Sequence, residues 1–188
     1  MKTKVINLYS FDELSEEAKE KAIEEYRYSD RDYFWMEDNI QSVIKALEHF
    51  GFDVLDYSVD YSSAARSSFK LSNKNYFNEE GLKGARLWKW LNNQKESIIP
   101  IYEKKYANVY ESSCPFTGYF MDEVFLDVFR KFLAKPSENI TLDYLIDQAV
   151  EACLRATQED YEHQNSDEFI SEELENMGEV FDKEGSLI

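Results

Sequence analysis

The 188-residue sequence predicts an α+β fold, dominated by helices, with a small antiparallel sheet and a single compact unit over 1–188. Three observations carry this expectation. Apolar residues recur at helical spacing through most of the chain. One stretch, 52–71, switches to the alternation of strands. Hydrophobic residues reach 43% and aromatics 15%, enough for a packed core, while three prolines and six glycines leave little room for long linkers.

Lys4 to Tyr9 reads as a short strand. Ser15 reads as an N-cap, with Glu16 and Glu17 in the first turn where the helix dipole favours acids. Ala18, Ala22, Ile23 and Tyr26 then form one face, and Glu17 with Lys21 makes an i,i+4 pair. A second helix is predicted from Tyr33 to Phe50 on Met36, Ile40, Val43, Ile44, Leu47 and Phe50, stopped by Gly51. Phe52, Val54, Tyr57, Val59 and Tyr61 alternate with polar residues, imperfectly around Leu55. With Arg66 to Leu71 they suggest a β-hairpin or adjacent antiparallel strands. Residues 79–107 read as helical, with Leu82, Ala85, Leu87, Trp88 and Leu91 facing inward and Pro100 as a break. Residues 111–120, with Pro115 and Gly118, read as a loop. Helices follow at 121–134, 141–164 and 166–177. They bury Met121, Phe125, Val128, Phe129 and Phe132, then Leu142, Leu145, Ile146, Ala149, Cys153 and Ala156, then Ile170, Leu174 and Met177. The final FDKEGSLI reads as a turn and short strand.

Charge is distributed unevenly. The chain has 38 acids and 21 bases, for a net charge of -17. Residues 1–110 hold 19 acids and 16 bases; residues 111–188 hold the other 19 acids and five bases. A near-neutral α/β part, 1–110, is thus expected to be joined to an acidic helical part, 111–188, packed against it. Such a field repels nucleic-acid phosphates and membrane surfaces and attracts basic ones. No export or membrane-spanning run is present at MKTKVINLYS, and two cysteines do not make a disulfide scaffold. The expected compartment is the cytoplasm.

Catalytic and metal chemistry find no support in the spacing. Cys114 and Cys153 are far apart, and His49 and His163 lack a second ligand at zinc-site spacing. Asp53, Asp56 and Asp60 sit within a strand pattern and lack the glycine and terminal Glu of a calcium loop. Cys114 lies in a loop with no local base; Cys153 lies on an apolar helical face. No phosphate-binding glycine motif occurs. Lys83, Arg86, Lys89, Lys95, Lys104 and Lys105 interleave with Trp88, Trp90 and Tyr102, but at this net charge counterion-release affinity for nucleic acid is poor. The expectation is a non-enzyme with no metal, no cofactor and no direct nucleic-acid or membrane binding.

The acidic helices carry the stronger signal. Asp143, Asp147 and Glu151 lie at i, i+4 and i+8, relieved by Arg155. Glu168, Glu172, Glu175 and Glu179 form a second stripe. Like charges at this spacing cost a helix about 0.2–0.5 kcal/mol per pair, and their separation of about 5–6 Å imitates that of backbone phosphates. These seven acids are the candidate partner-binding residues. Solubility is the alternative role of the same charge.

YSFDELSEEAKEKAIEEY (Tyr9 to Tyr26) resembles an opening common in small proteins of bacteriophages and mobile elements. CPFTGYFMDEVFLD (Cys114 to Asp127) and EDYEHQNSDEFISEELENMGEVFDKEGSLI (Glu159 to Ile188) resemble the rest of that pattern. Some members carry antitoxin-like labels. The resemblance implies an accessory phage protein and no catalytic residues. By analogy of class and charge it points to an anti-CRISPR inhibitor that binds a basic bacterial protein, a Cas nuclease with Cas9 as first candidate, in a nucleic-acid groove. An antitoxin and an enzyme with an unrecognised site are the alternatives.

Overall fold

Six α-helices and one two-stranded antiparallel sheet make up the described chain, residues 7–29, 31, 33–73, 82–93 and 121–188 of a computed structural model. This is the helix-dominated α+β fold that the spacing predicts. In order they are α1 (Glu16–Arg27), α2 (Phe34–His49), β1 (Phe52–Ser58), β2 (Ser68–Asn73), α3 (Gly84–Asn93), α4 (Asp122–Ala134), α5 (Leu142–Gln164) and α6 (Asp167–Met177). Short 3-10 turns cover Phe11–Glu13 and Ala64–Arg66. The proline break at Pro100, the loop 111–120 and Cys114 lie outside the described residues, as do residues 4–6 of the first expected strand.

The chain divides into two compact units, 1–33 with 160–188, and 34–159. The division does not follow the charge step near residue 110. It falls instead before α2 and within α5.

The 34–159 unit is built on α2. Met36, Ile40, Val43, Ala46, Leu47 and Phe50 are buried along it, and the chain turns at Gly51, as expected. Burying such side chains contributes about 1.5–3 kcal/mol each. α4 packs against α2 and α3. The Phe50 and Phe129 rings stack at 4.5 Å, and Phe125 lies 5.6 Å from Phe129. Trp88 Nε1 donates to the Leu133 carbonyl at 3.0 Å, tying α3 to α4. Leu87 and Leu91 are buried as predicted, whereas Ala85 is exposed. β1 and β2 form the expected hairpin, with a register shift between Val54 and Asp56. That bulge accounts for the broken alternation at Leu55: an extra residue leaves the ladder and its side chain is exposed.

The other unit has its own small core of Phe11, Leu14, Ala18, Ala22, Ile170, Leu174 and Phe181. Ser15 caps α1 as expected, its Oγ accepting from the Ala18 amide at 3.3 Å. Ser166 caps α6 the same way through Phe169. Tyr9 and Phe181 exchange two backbone hydrogen bonds of 2.9 Å, so the described end of the expected N-terminal strand forms an antiparallel bridge at Tyr9. Lys21 pairs with Glu25 at 3.4 Å and donates to Ser186 at 2.7 Å, in place of the expected Glu17 pair. Met177 is a second correction. It is 54% exposed, at the last residue of α6 and immediately before the left-handed Gly178.

Candidate acidic binding surface

All seven candidate acids are exposed. They do not belong to one unit. Asp143, Asp147 and Glu151 lie on α5 within the 34–159 unit. Glu168, Glu172 and Glu175 lie on α6, and Glu179 one residue beyond Gly178, in the other unit.

The α5 acids are partly compensated. Glu151 accepts from Gln148 Nε2 at 3.1 Å and is ion-paired with Arg155 one turn on. Partial burial first, and the neighbouring Asp143 second, raise the Asp147 carboxyl above its ordinary value. A carboxyl raised on folding binds protons more tightly in the folded state. Stability therefore falls as pH rises from the ordinary carboxylate value through the raised one. Asp147→Asn is expected to raise the urea midpoint slightly at pH 7 and to lose that advantage when both carboxyls are protonated at low pH. An Asn variant that is less stable at pH 7 would contradict the crowding of Asp147.

The α6 acids have a different setting. Residues 1–33 and 160–188 together hold 19 acids and seven bases, a net of -12, leaving only -5 for the larger unit. Along the sequence the net negative charge concentrates in residues 111–188. Folding adds α1 to it. Small Ala18 and Ala22 on α1 share a core with Ile170 and Leu174 on α6, and Glu16, Glu17, Glu20, Glu24 and Glu25 are exposed. Four of the five described bases are engaged within the unit, and exposed Lys183 forms no ion pair among the described residues. Lys19 pairs with Glu16, Lys21 with Glu25, Arg27 with Asp167 and Arg31 with Glu173. Among the described residues Glu17, Glu20, Glu24, Glu168, Glu172, Glu175 and Glu179 form no ion pair.

Arg31 fixes this arrangement. Its side chain is only 11% exposed and pairs with Glu173 at 2.9 Å. It also donates to the Gln164 carbonyl at 3.1 Å and stacks 4.8 Å from the Tyr26 ring and 5.5 Å from Tyr33. Tyr26 donates its hydroxyl to Glu173 at 3.2 Å, and burial followed by the Glu173 charge raises the phenol above its ordinary value. The cation–π and charge-assisted contacts make this the polar clamp of the unit. Arg31 and Glu173 are 142 residues apart, with no local spacing to link them.

Other chemistry is sparse. Among the described residues no three His, Cys, Asp or Glu side chains are grouped to hold a metal ion. Burial, reinforced by Asp122, pushes the Cys153 thiol well above the usual thiol range, so it is protonated and a poor nucleophile at neutral pH. His163 is exposed with its ring edge on Phe169 at 5.1 Å. Of the basic aromatic segment, Lys83, Arg86 and Lys89 are exposed on or beside α3, while Trp88 is half-buried. Lys95, Tyr102, Lys104 and Lys105 lie outside the described residues. No described helix is long and apolar enough to cross a membrane. No family model matches the chain, and no curated protein or solved structure matches it.

Proposed function

We propose that this chain is a non-enzymatic inhibitor that binds a basic protein surface through the acidic α1–α6 unit and competes there with nucleic acid. The observation that carries the reading is the set of unpaired carboxylates on two helices sharing one core. Charge held on packed helices needs no ordering on binding, so its attraction is not offset by lost chain entropy. Among the described residues Lys19, Lys21, Arg27 and Arg31 are paired with acids of the same unit, and Lys183 is the one exposed cation there without an ion pair, which leaves a strongly acidic surface. Such a surface complements the basic channel of a nuclease. The resemblance to phage accessory proteins makes a Cas nuclease, Cas9 first, the partner to test, in the bacterial cytoplasm.

The test is association with a purified Cas9–guide complex, followed by surface plasmon resonance at two ionic strengths, with target DNA as competitor. Glu168→Gln, Glu172→Gln and Glu175→Gln combined keep side-chain size and remove three charges. The association rate is expected to fall about tenfold at low salt, with a smaller change in dissociation. Binding that ignores both the triple substitution and added salt would sink the electrostatic mode. No binding to the nuclease would sink the choice of partner.

A further inference from the structure

The 34–159 unit carries a feature of opposite sign. A groove of about 650 Å³ runs between α4 and α5. Val128, Phe132, Ile140 and Leu145 give it an apolar floor, and Tyr144, 48% exposed, stands at its side. Lys131, Lys135 and Arg155 also line it. Residues 111–188 contain only five bases, and three of them are here, against the single acid Glu151. The volume is that of a binding cleft, within the usual range of about 300–1,000 Å³.

We propose that this groove docks an acidic peptide segment of a partner protein, an extended stretch with large apolar side chains flanked by carboxylates. Shape argues for a peptide. Tyr144, Gln148, Glu151 and Arg155 follow one face of α5 over three turns, about 16 Å at 1.5 Å per residue. That length matches about five extended residues at 3.3 Å each. Charge argues for acids. The cations are distributed along both helices, so several carboxylates are needed to meet them. Two are held by weak exposed pairs, Lys131 with Asp127 at 2.6 Å and Arg155 with Glu151. Such pairs are worth about 0–1 kcal/mol and exchange readily for an incoming carboxylate. The whole chain's charge of -17 repels an acidic ligand at long range, but the Debye length of about 8 Å at physiological salt confines that repulsion. With Glu151 in the lining and Asp127 beside Lys131, the three cations still leave the groove a small positive balance, centred on Lys135. This site is independent of the α1–α6 surface.

The probe is a fluorescein-labelled twelve-residue peptide of Glu, Asp, Leu and Phe, titrated with the full chain at 0.15 M salt and read by fluorescence polarisation. Control peptides replace every acid by Lys, or every Leu and Phe by Ser. The acidic apolar peptide is expected to bind at least tenfold more tightly than either control. The double variant Lys131→Glu, Lys135→Glu is expected to lose at least tenfold. Both lysines are exposed, so circular dichroism should show an intact fold. They also complement the C-terminal dipole of α4. A purely helix-capping role would lower stability and leave peptide binding unchanged, which would overturn the proposal. Equal binding of all three peptides would also overturn it. So would saturation by dodecanoate without peptide binding, or occupation by a second copy, seen as a dimer in sedimentation that the double variant abolishes.

Discussion

Phe129→Ala is expected to lower the unfolding free energy of the 34–159 unit by about 3–5 kcal/mol. Phe129 is 0% exposed and lies at the junction of α2 and α4. Its ring stacks on Phe50 at 4.5 Å with an interplanar angle of 13°, and on Phe125 at 5.6 Å and 22°. Truncation removes the burial of a whole ring and leaves a cavity among close-packed core side chains that relax only partly to fill it. Two aromatic pairs are lost besides, at about 0.5–1.5 kcal/mol each beyond area, part of which the truncation figure already contains. Phe129→Leu keeps most of the volume and is expected to cost less than about 1.5 kcal/mol. All three tryptophans, Trp35, Trp88 and Trp90, belong to this unit, so a urea titration followed by tryptophan fluorescence reports it selectively. A loss below about 1 kcal/mol for the Ala variant would refute the packing of α4 on α2.

Gly185→Ala is expected to have the largest effect in the other unit, about 2–5 kcal/mol. Gly185 has φ +86°, and a Cβ there would lie 2.1 Å from the Ala18 carbonyl oxygen on α1. Left-handed backbone costs a residue with a Cβ about 1–2 kcal/mol, and forcing atoms into an occupied site about 1–3 kcal/mol more. The atom met is backbone, so no side-chain rotation relieves the clash. The turn is otherwise well held: Asp182 Oδ1 accepts from the Glu184 and Ser186 amides at 3.0 and 2.9 Å. Ala is expected to lift this turn from α1 and break the Lys21–Ser186 contact. Faster amide exchange at Tyr9 and Phe181 would report it. Gly178→Ala supplies the control. Its φ is +69°, but nothing lies within 4 Å of the added Cβ, so only backbone strain remains. Equal losses at the two glycines would show that close approach to α1 is not what Gly185 provides.

The helices were legible because each signal is local. Ser15 precedes an acidic first turn and caps α1 as that pattern requires. Phe125, Phe129 and Phe132 repeat at i, i+4 and i+7 and all are buried. Even the faulty alternation at Leu55 marked a real bulge. Met177 misled because periodicity says which face of a helix a residue lies on, not whether another element covers it.

By itself, the sequence determined which segments are helical, which face of each is apolar and how much negative charge the outer faces carry. Those properties depend on spacing over one or two turns. Tertiary structure decided which acids share a unit and which are neutralised. It brought α1 to α6 across more than a hundred residues, spent Arg27 and Arg31 on Asp167 and Glu173, and placed Asp143, Asp147 and Glu151 in the other unit. It also gathered Lys131, Lys135 and Arg155 around one apolar groove. Long-range pairing follows from how apolar faces close on each other, and no local pattern along the chain encodes which charges that closure brings together.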